Sequence, residues 1–346
     1  MTQRAMNRNS YQAVLIVSFG GPEGMEDVIP FLENVTRGRN VPRERLLEVA
    51  QHYEQFNGVS PINEQNRQLM KAVQAGLEAR GISLPVYLGN RNWHPFLGES
   101  LKSMYEKEIR SVLGFFTSPY SSYSGCRQYR EDIARALDQN SLTGMKVDKI
   151  RAYYNHPGFI ETGIDRVRNA FDQLPESRRG QARLVFCAHS IPLTMASACR
   201  YESQLFEACH LVAQGLGISS WDLVYQSRSG PPSQPWLEPD VGDWLKKLKN
   251  EGVDDVVLYP IGFISDHMEV LYDLDTEARE ICDEISLNMV RAATAGTHPA
   301  FVEMALDLIE ERLDLARERK SLGKYGPSSD FCYEGCCLPE GRRERL

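Results

Sequence analysis

The sequence predicts an α/β protein of two lobes, each built on a parallel sheet, with a ligand cleft between them. Short apolar runs alternate with amphipathic helical patterns along the chain, which is the order that parallel sheets require. The alternation occurs twice, and a loop-like stretch over 140–145 separates the two series. The chain has 346 residues, enough for two hydrophobic cores. We therefore expect a ligand to bind between two similar lobes.

The first lobe is predicted over residues 11–145. Its first strand is the apolar run AVLIVSF at 13–19, and the following Gly20, Gly21 and Pro22 break this strand into a loop. Further strands are predicted over 85–89 and 111–117. The helical patterns of this lobe cover 25–35, 44–55, 61–80, 97–107 and 130–139.

The second lobe is predicted over residues 146–298. Its strands cover 147–153, 182–188, 221–226, 254–260 and 288–293. Its helices cover 158–174, 194–216, 240–250 and 267–285. A long amphipathic helix over 299–320 follows, and residues 321–346 form a polar tail that contains cysteines.

Composition argues against several classes of function. The net charge is −8 and no run of basic residues occurs, so nucleic acid is not an expected partner. The first ten residues lack the apolar core of a signal peptide, and no apolar stretch approaches the roughly 18 residues of a transmembrane segment. These features favour a cytoplasmic protein.

The helix predicted over 267–285 carries an acidic ridge, with Ser265 or Asp266 as the expected N-cap. The ridge consists of three carboxylates four residues apart, Glu269, Asp273 and Glu277. Like charges at this spacing repel by roughly 0.2–0.5 kcal/mol per pair, and a bound cation would relieve the repulsion. A solvated acidic face is the alternative. The position of the ridge just past a strand end favours a ligand site, because open α/β sheets bind ligands there.

The apolar run LVFCAHSIP at 184–192 delivers His189 to the carboxyl end of a buried strand. An imidazole in this position can accept a proton or bind a metal. A lone histidine on such a strand is more often a packed core residue. His189 has a companion, however, because Glu269 follows the end of another strand in the same lobe. We therefore predict a general-base pair or half of a divalent metal site.

Five strings in the chain resemble the ferrochelatases, which insert ferrous iron into a porphyrin in haem synthesis. They are VSFGGPEG at 17–24, NGVSPIN at 57–63, AHSIP at 188–192, YQSRSGPPSQPWLEPD at 225–240 and GFISDHMEVLYDLD at 262–275. The strings occur in order over nearly the whole chain. The resemblance implies a chelatase-like fold of two Rossmann-like lobes with the porphyrin in the cleft. It also implies that the helix over 299–320 returns to complete the first lobe.

The same resemblance assigns roles to the strand-end residues. His189 and Glu269 match the residues that bind the incoming iron and take up the pyrrole protons. Asp273 and Glu277 then form an acidic track for Fe²⁺ or for released protons. This fits the chemistry, because metal insertion requires removal of two N–H protons by a base held close to the centre of a puckered ring.

Aromatic side chains are expected to pack against the porphyrin. The candidates are Phe19, Tyr53, Tyr123 and Tyr129, and the resemblance also assigns Ser60 and Tyr129 to porphyrin-binding positions. A hydrogen-bonded packing role is the alternative for each tyrosine. One branch of the family has a tyrosine at the position of Phe19 that can coordinate iron axially. Phenylalanine has no ligand atom, so an axial phenolate is not expected here.

Coproporphyrin III is the favoured substrate and protoporphyrin IX is the alternative. Coproporphyrin carries four propionates, and arginine binds carboxylates with two parallel hydrogen bonds. The stretch over 36–60, which borders the cleft in the family, offers cationic and polar partners at Arg37, Arg39, Arg43, Arg45 and His52. These arginines could instead only solvate helix ends.

The eight cysteines divide into two groups. Those in apolar patterns, Cys187, Cys199, Cys209 and Cys282, are expected in the core. The tail cysteines require another explanation, and several ferrochelatases carry an iron–sulfur cluster with three ligands from the tail and one from the body. The resemblance therefore implies a [2Fe–2S] cluster with four thiolate ligands, Cys126, Cys332, Cys336 and Cys337. A zinc site or free thiols are the alternatives.

Two other functions remain open from the sequence. One is a chelatase for another tetrapyrrole or metal, such as cobalt and a sirohydrochlorin-type ring. The other is a non-catalytic protein that binds iron through the acidic ridge. Porphyrin and ferrous iron are the expected partners of the leading hypothesis, together with neighbouring enzymes of the haem pathway.

Overall fold

The computed structural model describes residues 10–38, 41–231 and 233–338, which form two four-stranded parallel sheets. The strands of the first sheet are β1 (Ala13–Ser18), β2 (Val86–Asn90), β3 (Ser111–Phe116) and β4 (Lys146–Lys149), in the order β2-β1-β3-β4. Those of the second sheet are β5 (Arg183–His189), β6 (Trp221–Gln226), β7 (Asp255–Tyr259) and β8 (Asn288–Arg291), in the order β6-β5-β7-β8. All pairings are parallel. The predicted α/β fold with two parallel sheets is confirmed.

The helices surround the two sheets. In the first half they are α1 (Met25–Val35), α2 (Arg43–Glu54), α3 (Ile62–Ala79), α4 (Leu97–Glu106) and α5 (Gln128–Gln139). In the second half they are α6 (Pro157–Phe171), α7 (Glu176–Arg179), α8 (Leu193–Ala196), α9 (Tyr201–Leu216), α10 (Val241–Asn250), α11 (Met268–Val270), α12 (Ala278–Glu284) and α13 (Pro299–Leu313). Two segments are π-helical, Tyr123–Arg127 before α5 and Leu271–Glu277 between α11 and α12.

One strand belongs to a different sheet from the one expected. The strand predicted over 147–153 was assigned to the second lobe, but β4 pairs in parallel with β3 and is the edge of the first sheet. Its sequence KVDK alternates exposed and half-buried positions, as an edge strand does, whereas β1 and β7 are buried throughout. The first sheet therefore extends to Lys149 rather than ending at residue 145.

Three predicted helices differ from those in the structure in length or continuity. The helix expected over 194–216 is interrupted between α8 and α9. The helix expected over 299–320 ends at Leu313, and the chain then continues without regular structure. The helix expected over 267–285 contains the π-helical segment Leu271–Glu277, so it is not a continuous α-helix. Among the described residues, no helix is both long and apolar enough to cross a membrane.

Helix α13 and the segment after it connect the two halves. α13 packs against α3 and α6, and Leu306 lies so close to Gly76 that a Cβ atom there would be 2.5 Å away. The buried Arg151 forms an ion pair with Glu311 of α13, with Nε 2.8 Å from Oε2. Its Nη2 also donates a hydrogen bond to the carbonyl oxygen of Lys320 at 2.6 Å.

The segment over 314–338, called the tail strap below, is held along the body by several further hydrogen bonds. Asn155 donates to the carbonyl oxygen of Leu322 at 3.1 Å, and Glu207 of α9 accepts from the backbone N–H of Lys324 at 2.7 Å. At its end, Arg127 donates to the carbonyl oxygen of Cys336 at 3.0 Å. The tail strap therefore contacts elements of both halves.

Candidate active site

The carboxyl edge of the second sheet brings the two candidate catalytic residues together. His189 is the last residue of β5, the strand that lies between β6 and β7. Glu269 lies in α11, on the chain that leaves β7. Because parallel strands end at the same edge of a sheet, both side chains reach the same region.

His189 and Glu269 face each other, with Nε2 3.5 Å from Oε2. Nδ1 of His189 lies in hydrogen-bonding contact with the carbonyl oxygen of Ser190, which requires a proton on Nδ1. A neutral ring then presents the Nε2 lone pair to a carboxylate. A proton or a dication between these two groups would stabilise them. The side chains are 33% and 49% exposed, so a ligand can reach the pair from solvent.

The π-helical segment Leu271–Glu277 carries the rest of the acidic ridge. Its i→i+5 hydrogen bonds give more residues per turn than an α-helix has, so side chains four apart still lie on one side. Such segments occur frequently at functional sites. The predicted N-cap is wrong, because His267 occupies that position and makes no side-chain capping bond. Ser265 and Asp266 instead precede the helix.

Asp273 has an unusual environment in this ridge. Its Oδ2 accepts a hydrogen bond from Nε2 of Gln226 at 3.1 Å and another from the hydroxyl of Ser227. Burial, followed by repulsion from Glu269 and Glu277, raises the pKa of Asp273 to about 7, although the bond from Ser227 opposes the shift. This carboxyl group can therefore gain or lose a proton near neutral pH.

Two further groups of this region have shifted proton affinities. Burial and the carboxylates of Asp240 and Glu280 raise the pKa of Glu277, which lies farther along the ridge. Burial lowers the pKa of His267, against the opposing effect of Glu269. Among the described residues, no group of three or more His, Cys, Asp or Glu side chains forms a ready site for a metal ion.

Residues from the first half of the chain pack against the acidic ridge. His52 of α2 stacks on Tyr272 with ring centroids 3.8 Å apart. Tyr53 is buried in a cluster that includes Phe31 and Met268, and burial together with the charge of Glu269 raises the pKa of its phenol. Phe19 is half-buried at the edge of this cluster. His52 and Tyr53 are thus close to the ridge, and Phe19 packs at the edge of the cluster that contains Tyr53.

The other residues predicted to contact the porphyrin are buried. Ser60 is buried against Gly21, where a Cβ atom would lie 2.6 Å from that of Ser60. Tyr129 is buried beneath Arg91, whose guanidinium carbon is 4.6 Å from the ring centroid. Tyr123 is also buried, and its hydroxyl donates to Glu131 at 2.9 Å.

The predicted cationic rim lies on the surface. Arg37 is exposed and bonds to Asn34, and Arg39 lies outside the described residues. Arg43 pairs with Glu33 at 3.2 Å and Arg45 pairs with Glu48 at 2.7 Å. Both pairs are more than half exposed, which is typical of weak ion pairs.

The four cysteines predicted to act together lie in one region, but among the described residues they do not form a ready metal site. Sγ of Cys336 is 3.7 Å from Sγ of Cys337. Cys337 has a left-handed backbone with φ of 58°. This conformation accompanies the close approach of the adjacent Cys336 and Cys337 thiols. The thiols lower the pKa of Cys332 and raise that of Cys126. Of the cysteines predicted in the core, Cys187, Cys209 and Cys282 are buried and Cys199 is half-buried.

Sequence reasoning missed several residues of the site. Gln226 at the end of β6 and Ser227 just after it donate hydrogen bonds to Asp273. Arg91 lies over both Phe19 and Tyr129 and pairs with Asp132. The position of Gln226 at the end of β6, next to the strand of His189, is the signal that could have identified it.

The fold is that of a tetrapyrrole chelatase. The chain resembles the solved structure of the sirohydrochlorin chelatase SirB from Bacillus subtilis subspecies spizizenii in complex with cobalt, with a TM-score of 0.51. The two sequences are only 12% identical, and the match covers 88% of this chain and 96% of that one. This likeness concerns the fold alone.

Sequence comparison identifies the family to which the chain belongs. The family model described as Ferrochelatase matches residues 11–313. A protein of Rhodopirellula baltica named Ferrochelatase is 54% identical over 96% of this chain and 95% of its own length. A coproporphyrin III ferrochelatase of Leifsonia xyli is 48% identical over 95% of this chain and 91% of its own length. The chain belongs to the ferrochelatase family, and the prediction of a metal-inserting lyase of haem biosynthesis is confirmed.

Proposed function

We propose that this protein inserts Fe²⁺ into coproporphyrin III, and that His189 and Glu269 are its catalytic residues. The observation that carries the proposal is the 3.5 Å approach of Nε2 to Oε2 at a solvent-accessible strand end, with Asp273 beside it. Relatives from seven bacteria named coproporphyrin III ferrochelatases support the choice of porphyrin. The Rhodopirellula baltica relative, named only Ferrochelatase, keeps protoporphyrin IX as the second candidate.

The reaction exchanges two pyrrole protons for one dication. His189 accepts a proton from the ring on Nε2, because Nδ1 already bonds to the carbonyl oxygen of Ser190. Asp273, whose pKa burial raises to about 7, accepts protons passed along the ridge. Glu277 is only partly buried and releases them to solvent. Fe²⁺ would be held between His189 and Glu269, and once it has moved to the ring nitrogens Nε2 of His189 and the carboxylate of Glu269 take up one pyrrole proton each.

The walls of the cleft hold the porphyrin in a strained shape near this pair. The half-buried Phe19 and His52 offer ring faces or edges to the macrocycle, and the buried Tyr53 supports them. Binding a puckered ring favours catalysis, because that geometry belongs to the transition state. Phe19 supplies no oxygen atom, so we assign it packing and not axial ligation. Ser60 and Tyr129 would then support the cleft from beneath.

The surface arginines provide partners for propionates. Arg37, Arg43 and Arg45 are exposed, and the ion pairs of Arg43 and Arg45 contribute only about 0–1 kcal/mol each. A propionate can therefore replace Glu33 or Glu48 at little cost. A porphyrin with four propionates gains more from such a rim than one with two.

Steady-state kinetics with both porphyrins tests the substrate assignment. We expect a higher kcat/KM for coproporphyrin III than for protoporphyrin IX, and we expect Arg45→Ala to reduce this preference. Arg168→Ala serves as the matched control, because Arg168 is exposed in an ion pair with Asp165 on α6. A higher kcat/KM for protoporphyrin IX would contradict the assignment of coproporphyrin.

We also infer that Cys126, Cys332, Cys336 and Cys337 hold a [2Fe–2S] cluster, a group that supplies one-electron redox chemistry and a cross-link when bound. The contact between the thiols of Cys336 and Cys337 supports a common ligand, and the charges of Lys149 and Arg127 act to lower the pKa of Cys337. No step of metal insertion passes through this group. Its clearest effect is to fix the end of the tail strap to the π-helical segment Tyr123–Arg127.

A cytoplasmic location and contacts with neighbouring enzymes of the haem pathway remain predictions. The charge of coproporphyrin supports the first, since a water-soluble substrate needs no delivery from a membrane. Fractionation of cells followed by detection of the protein tests the location, and recovery mainly with membranes would contradict it.

A further inference from the structure

The segment over 266–275 carries Glu269 and Asp273, and its own helical structure does little to fix its position. Helix α11 has only three residues, and His267 at its N-cap makes no side-chain capping bond. The residues that follow α11 are π-helical. A single uncapped turn has little stability of its own. The two carboxylates therefore depend on contacts from outside the segment for their position.

Arg291 contacts both ends of this segment. Its Nη1 is 3.1 Å from Oδ1 of Asp266, and its Nε is 2.5 Å from Oδ1 of Asp275. Asp266 precedes Glu269 by three residues, and Asp275 follows Asp273 by two. One guanidinium group therefore connects the two ends of the stretch that carries both carboxylates.

The second sheet fixes the backbone of Arg291. This residue is the last of β8, and it lies opposite Leu258 of β7 in the parallel register. The next residue, Ala292, donates its backbone N–H to the carbonyl oxygen of Leu258 at 2.8 Å. β7 also pairs with β5, the strand that ends at His189. The guanidinium group therefore connects the segment of Glu269 to the sheet that positions His189.

Asp266 receives a second contact, from the first half of the chain. Its backbone N–H donates a hydrogen bond to Oε1 of Gln65 in α3 at 2.9 Å. The side chains of Arg291, Asp266 and Asp275 are 15%, 18% and 31% exposed, respectively. Because these charges are largely withdrawn from water, their attraction is screened less than that of surface pairs. The ion pairs therefore resist displacement of the segment.

We propose that Arg291 is a positioning residue for metal insertion, which holds Glu269 at its distance from His189 by binding both ends of the segment at once. Arginine suits this role because its planar guanidinium donates in several fixed directions, whereas the ammonium of lysine is a compact charge on a flexible stem. Arg291 acts through the segment and not on the porphyrin or the iron. This inference rests on the catalytic pair of the proposed function.

Anaerobic kinetics of Fe²⁺ insertion into coproporphyrin III test this inference. We expect Arg291→Gln to lower kcat about 10–100-fold, because a catalytic group misplaced by about 1 Å can lose about 100-fold in rate. Porphyrin affinity, measured by fluorescence quenching, should change little. Arg291→Lys should lose less activity, since it keeps the charge but not the planar fork. Arg183→Gln is the matched control, because Arg183 makes two hydrogen bonds to Asp222 at the amino end of β5 in the same sheet.

A double-mutant cycle separates positioning from general stabilisation. If Arg291 acts through Glu269, then adding Arg291→Gln to Glu269→Gln should lower kcat little beyond the loss in Glu269→Gln alone. Losses that multiply in full would overturn the inference, and so would a folded Arg291→Gln protein with the kcat of the Arg183→Gln control. If Arg291→Gln does not fold, a wild-type kcat in Arg291→Lys would overturn it. A wild-type kcat in Glu269→Gln would instead overturn the catalytic pair of the proposed function.

Discussion

The side-chain amide of Gln226 donates a hydrogen bond to Oδ2 of Asp273 at 3.1 Å. The same amide nitrogen donates to the backbone carbonyl oxygen of Glu269 at 3.2 Å, and the amide oxygen accepts from the thiol of Cys187 at 3.3 Å. The end of β6 therefore fixes two carboxylate-bearing residues relative to β5, the strand that ends at His189. This arrangement holds Asp273 where burial and the neighbouring carboxylates raise its pKa, while the hydrogen bond from Ser227 opposes that rise.

We predict that Asp273→Asn makes the metal-free protein more stable at alkaline pH. The unfolded chain loses the Asp273 proton near pH 4, but the folded protein retains it to about pH 7. Folding therefore becomes less favourable as pH rises between these values, and the full loss is present above pH 7. Asparagine keeps the shape and has no charge to bury. Thermal unfolding at pH 5 and pH 8 measures the difference.

The gain in Tm for Asp273→Asn over the wild type should be clearly larger at pH 8 than at pH 5. Glu280→Gln is the control, because Glu280 is an exposed carboxylate of α12. A gain that does not change with pH would show that burial does not hold the Asp273 proton.

We predict that His189→Ala lowers the rate of iron insertion by roughly 10²–10⁴-fold, the range for loss of a general base. Porphyrin affinity should stay within a few-fold, because His189 acts on the metal and the N–H protons and not on the ring periphery. Anaerobic assays of metallation and quenching of porphyrin fluorescence measure the two effects separately. His210→Ala on the exposed side of α9 is the control. Near-wild-type turnover in His189→Ala would remove this residue from the mechanism.

We predict that Cys126→Ser yields protein without the iron–sulfur cluster, because it removes one of four thiolates. Cys199→Ser should retain the cluster, since its thiol bonds to the carbonyl oxygens of Met195 and Ala196 in its own segment. Iron and sulfide analysis, together with the visible spectrum after anaerobic purification, distinguishes the two proteins. Bound zinc in the wild type would support the single-metal alternative, and full cluster content in Cys126→Ser would exclude Cys126 as a ligand.

We predict that Arg151→Ala costs about 3–5 kcal/mol in the free energy of unfolding. The change removes the bidentate partner of the buried Glu311 and leaves it with the more distant Arg319, whose Nε is 3.8 Å from Oε2. Loss of a close partner is the costly outcome for a buried ion pair. It also removes the bond to Lys320 that anchors the tail strap. Urea denaturation followed by circular dichroism measures the loss. Arg168→Ala, in an exposed pair, should change stability by less than about 1 kcal/mol, and equal losses in the two variants would contradict the predicted role of burial.

Much of the fold could be predicted because its signals are local. Continuous apolar runs identified β1, β5 and β7, and the helix predicted over 25–35 agrees with α1. Their ends placed His189 and Glu269 at one edge of one sheet. The sheet of β4 was predicted wrongly, because the loop-like stretch over 140–145 indicated a boundary between lobes, whereas β4 pairs with the strand that precedes it, β3.

The rest of the site depends on features that have no local pattern. A π-helical segment and an α-helix both keep residues four apart on one side, so the acidic spacing did not distinguish them. The bonds of Gln226 and Ser227 to Asp273 connect distant parts of the chain, and Ser227 adopts a left-handed backbone with φ of 60°. Neither bond could be inferred from the composition of the loop.

Absorbance of coproporphyrin III mixed anaerobically with Fe²⁺ and catalytic amounts of the protein tests the central claim most directly. The account predicts that the free-base spectrum converts to that of the iron porphyrin over many turnovers, and that the uncatalysed control stays largely unconverted. A protein that binds iron and porphyrin but leaves the free-base spectrum unchanged would be a carrier, and that result would contradict the assignment of His189 and Glu269 as a catalytic pair.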